Sequence, residues 1–168
     1  MASDQLSMFQ DRELGDSDNA QASKVAPASF SITRTISGSP QSVCDHWLIP
    51  VFLGEWMFGP RVQAEKVLSL ENTVRKNGEF DFKIHRRGQE ISHQGEYLEL
   101  NIPSKLVMSW TESTEPEAES KISVQFTEEA GKTKLKLTVN LPAELAPNKD
   151  KIKKQWTARC KALAEKFK

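Results

Sequence analysis

The sequence predicts an α+β domain in which one curved antiparallel sheet wraps a long C-terminal helix. Three observations predict it. Residues 149–168 place Ile152, Trp156, Cys160, Leu163 and Phe167 at spacings of four, four, three and four, a single stripe on a 3.6-residue helix. Between residues 62 and 141, segment after segment alternates apolar with polar residues, the period of strands buried on one face. Two short helical segments separate the first strand from the rest, and no other long helical pattern intervenes before the end. A stripe holding Trp156 and Phe167 needs a cover, because burying each large aromatic contributes roughly 1.5–3 kcal/mol. Lysines occupy the other faces, so the cover is expected to be the sheet.

Taken in order, residues 1–28 are rich in Ser, Asp, Gln and Ala and read as a disordered acidic tail, with Leu6, Met8, Phe9 and Leu14 as an alternative short docking helix. Residues 29–168 form the domain. Phe30, Ile32 and Ile36 alternate with Ser31, Thr33 and Thr35 as the first strand. Ser39-Pro40 is an N-cap followed by proline at the first helical position, with Val43 and Trp47 on the buried side. Pro50 ends or restarts that helix, and Val51–Trp56 makes a second one before Gly59-Pro60 breaks the chain. Strands are then expected over Val62–Leu68, Glu79–Arg86 and Ile91–Leu100, the last two joined by a turn at Arg87-Gly88. Leu106, Met108 and Trp110 carry a strand into TESTEPEAES, residues 111–120, read as an exposed acidic loop. Ile122, Val124 and Phe126, then Leu135, Leu137 and Val139, make two more strands around Ala130-Gly131.

Composition narrows the functional classes. No apolar run reaches the roughly 18 residues of a membrane span, and the first residues lack the basic start and apolar core of a secretory signal, so a cytoplasmic protein is expected. Cys44 and Cys160 are too few and wrongly spaced for a disulfide framework or a metal site. Formal net charge is zero, yet residues 1–28 hold two basic and five acidic groups while residues 149–168 hold eight and two. The basic end is read as a solvated outer helix face rather than a nucleic-acid surface.

Particular residues then carry a resemblance. They are Trp56 with Gly59-Pro60, Gly78-Glu-Phe-Asp-Phe, His93-x-Gly95-x-Tyr97-x-Glu99, Pro103-x-x-Leu106 with Trp110, Gly131-Lys-Thr-Lys-Leu135, and Trp156 with Leu163. In this order and spacing, residues 30–168 resemble the START-like SRPBCC superfamily, and within it the activator of heat-shock protein 90 ATPase homologue-like group. The resemblance implies a helix-grip fold with a cavity between sheet and C-terminal helix for an apolar or amphipathic small molecule. Asn77-Gly78 stands where members commonly have two glycines.

The chemistry is less pronounced than the fold. Cys44, Asp45 and His46 are consecutive on a helix, about 100° apart, and cannot form a relay among themselves. His85 and His93 lie on neighbouring strands without the further ligands a metal site needs. No phosphate-binding glycine loop or nucleophile elbow is present, and no cofactor or metal is implied. The aromatic residues Trp56, Phe80, Phe82, Tyr97, Trp110 and Trp156 are the candidates for a cavity wall or for plain core, and His93, Tyr97, Glu99 and Arg159 are the candidates for its polar contacts. The ligand-binding set is accordingly Trp56, Phe80, Phe82, His93, Tyr97, Trp110, Trp156 and Arg159. Period two leaves open which face of residues 91–100 points inward. A binding or carrier module ranks first. A protein-interaction module, such as a chaperone partner, and a cyclase or hydrolase using His93 or Glu99 are the alternatives.

Overall fold

A computed structural model of the chain describes residues 25–168. The alternative helix and residues 1–24 of the expected acidic tail, 1–28, lie outside those described, and the first strand begins at Ala28, the last residue assigned to that tail. Strand β1 (Ala28–Ile36) leads into helices α1 (Pro40–Leu48) and α2 (Pro50–Trp56), which carry the chain to the far edge of the sheet. From there β2 (Lys66–Asn72), β3 (Glu79–Arg86), β4 (Gln89–Asn101), β5 (Lys105–Glu112), β6 (Glu115–Glu129) and β7 (Lys132–Leu141) meander back until β7 pairs with β1. All seven strands pair antiparallel in the order β1-β7-β6-β5-β4-β3-β2. A 3-10 turn, Ala143–Asn148, then delivers the long helix α3 (Lys149–Glu165) into the concave face of the curved sheet. Among the described residues no helix is long and apolar enough to cross a membrane.

The helix boundaries follow from local chemistry. Ser39 caps α1 by accepting from the Ser42 amide at 3.2 Å, and Pro40 supplies a helical φ without needing a donor partner. Pro50 starts α2 in the same way, with Ile49 as a β-region hinge between the two helices. On α3 the expected stripe is buried at Trp156, Cys160 and Leu163, while Ile152 and Phe167 at its two ends are half-covered.

Two expectations are corrected. The strand placed at Val62–Leu68 begins only at Lys66 and continues to Asn72, because residues 60–64 are taken up by turns, with Val62 and Gln63 amides bonded to the Gly59 carbonyl. The acidic stretch 111–120 is not a loop. Strand β5 runs through Glu112, the turn is confined to Ser113-Thr114, and β6 starts at Glu115 with Ala118 and Ser120 buried. On β6, Glu117 and Glu119 sit on outward positions, where a charged side chain costs little, and Ala118 and Ser120 sit on the inward ones.

The ambiguity in residues 91–100 resolves through an irregularity. Ile91, His93 and Tyr97 point inward, the β4–β5 register shifts between Tyr97 and Glu99, and Leu100 packs on the core after it. A bulge switches the buried parity, so both apolar sets find cover. Gly95 lies where β4 and β5 approach so closely that a Cβ would come within 2.0 Å of the Ser109 carbonyl oxygen. Asn77 takes the left-handed conformation (φ 67°), which an asparagine tolerates better than most residues.

Candidate functional site

The helix and sheet do not fill the space between them. A cavity of about 280 Å³ remains beside the N-terminal half of α3. Ala118, Ser120 and Ile122 of β6 and Val139 of β7 form one wall; Ile152, Trp156 and Arg159 of α3 form another, and Trp110 closes the floor. Small side chains at Ala118 and Ser120 leave the room. Trp156 divides the cavity from the filled core: its ring lies parallel to Trp47 with centroids 6.2 Å apart and edge-on to Trp110 at 5.2 Å.

A charged cluster lies along the cavity's inner side. Glu65, with a fully buried side chain, accepts from the Gly59 amide at 3.2 Å and pairs with Arg86 Nη1 at 3.4 Å. Arg86 Nη2 reaches Glu112 Oε2 at 3.2 Å, and the Thr114 hydroxyl donates to the same oxygen at 2.8 Å. Glu112 Oε1 lies 3.6 Å from His93 Nε2. His93, Thr114 and Arg86 together hold the Glu112 carboxyl at about 2, well below its ordinary range, against a burial effect that pushes the other way. His93 is itself 1% exposed, with Nδ1 3.4 Å from the Phe82 carbonyl and its ring 5.0 Å from Phe58 and 5.3 Å from Trp110.

Arg159 differs from Arg86. It is 3% exposed, and its Nε donates to the Met57 carbonyl at 2.9 Å. Its guanidinium carbon sits 4.5 Å from the Trp156 ring centre, 5.4 Å from Phe58 and 5.8 Å from Trp110, a cation held among aromatic faces. Among the described residues it joins no ion pair within 4.0 Å. Burial pulls its pKa down to about 10, a loss softened by the more distant Glu65 and Glu112, so at neutral pH it remains a cation.

Of the eight residues expected to bind ligand, the structure brings His93, Trp110, Trp156 and Arg159 to the cavity and sets the other four apart from it. Trp56 is core, its Nε1 donating to the His46 carbonyl at 2.8 Å and its ring 4.8 Å from Trp47. Phe80 and Phe82 stack on each other at 4.8 Å within the sheet's inner face. The Tyr97 hydroxyl accepts from Asn72 Nδ2 at 2.9 Å, a structural tie between β4 and the edge strand β2. Glu99 is exposed beside Lys105. His46 is turned onto its own helix, with Nδ1 2.8 Å from the Ser42 carbonyl and its ring stacked on Phe52, so the Cys44-Asp45-His46 run forms no relay. His85 is exposed on the outer face while His93 is buried on the inner one. No three His, Cys, Asp or Glu side chains among the described residues gather as metal ligands.

Sequence reasoning missed Arg86 and Glu112, although a signal for both was present. Phe80, Phe82 and Ile84 define the inward parity of β3, and Arg86 is the next residue of that row; Leu106, Met108 and Trp110 do the same for Glu112 on β5. Glu65 has no such signal, because it precedes β2 in an irregular segment.

Residues 38–168 match the family described as activator of Hsp90 ATPase homolog 1-like protein. The fold is similar to that of protein CV1439 from Chromobacterium violaceum, at 21% identity over 83% of this chain and 96% of that one, with a TM-score of 0.70. It is likewise similar to protein NE0264 from Nitrosomonas europaea, at 13% identity over 82% and 92% of the two chains and a TM-score of 0.69. An AHSA1-like protein from Aeromonas hydrophila is 16% identical over 82% and 90%, with a TM-score of 0.66. No curated protein sequence matches the chain.

Proposed function

Since the chain belongs to the activator of Hsp90 ATPase homolog 1-like family, we propose that it is a binding or carrier module for a small amphipathic molecule held between the sheet and the C-terminal helix. The cavity of about 280 Å³ carries this reading. Its volume lies just under the roughly 300 Å³ at which small-molecule sites begin, which favours a compact ligand over a long lipid chain. Aromatic and aliphatic faces at Trp110, Trp156, Ile122 and Val139 share the lining with a larger set of polar and charged side chains, among them His93 and Arg159, which suits an amphipathic ligand rather than a wholly apolar one. A binding role is favoured over catalysis by the state of Glu112. A carboxyl held near 2 and already engaged by Arg86, Thr114 and His93 is a weak general base, and it is not protonated to act as an acid near neutrality.

Native mass spectrometry of protein freshly isolated from its own host tests the proposal. A bound small molecule at one per chain is expected, and Ala118→Leu, which projects a larger side chain into the cavity, should strip it. Protein that is consistently bare, with both wild type and Ala118→Leu indifferent to small amphipathic probes, would move the reading to protein interaction.

A further inference from the structure

Two arginines face the same cavity, Arg159 buried and Arg86 half-buried, and among the described residues only Arg86 has a carboxylate partner. Arg86 is shared between Glu65 at 3.4 Å and Glu112 at 3.2 Å. Those carboxylates are spent on it and on the Gly59 amide, the Thr114 hydroxyl and His93. Among the described residues Arg159, at 3% exposure, makes one side-chain hydrogen bond, from Nε to the Met57 carbonyl. The two Nη groups of a guanidinium form a planar fork of donors, and the Arg159 side chain lines the cavity. A buried cation with its fork uncommitted is costly unless an acceptor meets it, since burying an unpaired charge is unfavourable. Water alone can serve, but a carboxylate meets the fork in two parallel hydrogen bonds and returns the missing charge.

The wider electrostatics agree. Arg86, Arg87, Lys151 and Arg159 line the cavity against two acidic residues, Glu112 and Glu115. Arg87 and Lys151 are exposed, positive charges at the cavity's outer side that would draw an anion in. Apolar surface at Trp110, Ile122, Val139 and Ile152 lines the same cavity.

Resting on the binding role proposed above, we infer that the ligand is a small organic acid whose carboxylate seats on the Arg159 Nη fork and whose apolar body lies along Trp110, Ile122 and Val139. Arg159 is the anion anchor of the site, and Arg86 is its internally neutralised neighbour.

Titration calorimetry with 2-naphthoate and with 2-naphthylmethanol, which share one apolar body and differ in charge, tests this on the intact chain. Wild-type protein should bind the acid at least about tenfold more tightly than the alcohol, the equivalent of one charge-assisted hydrogen bond. Arg159→Met keeps an apolar stem and removes the fork; it should bring the acid down to the affinity of the alcohol and leave the alcohol within about threefold of wild type. Ala118→Leu should block both probes. Equal affinities in the wild type, or a preference for the acid that survives Arg159→Met or Ala118→Leu, overturn the anchor. If the alcohol binds as well as the acid and Ala118→Leu blocks both, the binding role stands without the anion preference. If neither probe binds, the anchor is overturned, and the binding role fails with it where the protein is also isolated bare. The wild-type comparison decides the question even where Arg159→Met does not fold.

Discussion

Along α3 the helix–sheet interface is filled at one end and hollow at the other. Toward the C-terminus, Cys160, Leu163 and Ala164 are buried, and Phe167 lies against the His46 ring at 4.6 Å and close over Gly38. Burial there pushes both Cys44 and Cys160 thiols up to about 12, as expected of sulfurs in dry packing. Toward the N-terminus, Ile152, Trp156 and Arg159 face open space and charge instead. The inward row of β6 accounts for the difference: it runs Ala118, Ser120, Ile122, Val124, Phe126, small at one end and large at the other. One strand's gradient in side-chain volume thus makes half of a common interface into core and half into a cavity. Fold and site are built from the same face and separated only by size.

The largest expected effect lies on the boundary between these halves. Trp156→Ala removes the ring that closes the core against the cavity and should cost roughly 3–5 kcal/mol in a urea titration. A loss below about 1 kcal/mol would mean that the ring is a cavity lining only and that the filled end does not depend on it. A matched pair of enlargements sharpens the contrast. Ala162→Leu, on the packed helix face, should cost about 1–3 kcal/mol by overpacking, whereas Ala118→Leu should change stability by less than about 1 kcal/mol because its added atoms enter existing space. Equal costs would show the two ends to be packed alike.

The smallest effect concerns the charged lining. Because the folded-state pKa of Glu112 lies below that of an ordinary carboxyl, its charge stabilises the fold at pH above about 4.5, and that contribution is lost as pH falls toward about 2. Urea midpoints measured from about pH 6 down to about pH 2.5 should fall more steeply for wild type than for Glu112→Gln. Parallel curves would remove Glu112 from the network that lines the cavity.

How much of this was legible in the sequence varies by level. Alternation at Leu135, Leu137 and Val139, and the stripe through Trp156, Cys160 and Leu163, specified strand and helix because burial of one face selects one period. The acidic stretch 111–120 misled because charge density marks exposure, and the outward row at Glu117 and Glu119 is exposed whether it is strand or loop. Trp56, Phe80, Phe82 and Tyr97 were equally plausible as core or as cavity wall, since an aromatic on an inward position reads the same in both.

The sequence by itself determined the α+β layout, the strand and helix faces, and the presence of aromatic and polar residues on the face that meets α3. Those are local properties, set by periodicity, caps and turns within a few residues. Only the tertiary structure decided that Ala118 and Ser120 stand opposite Arg159, that Glu65 and Glu112 both turn to Arg86, and that Arg159 is left facing the cavity. These pairings join residues far apart in the chain, and whether a buried charge finds a partner depends on distances that no one-dimensional pattern contains.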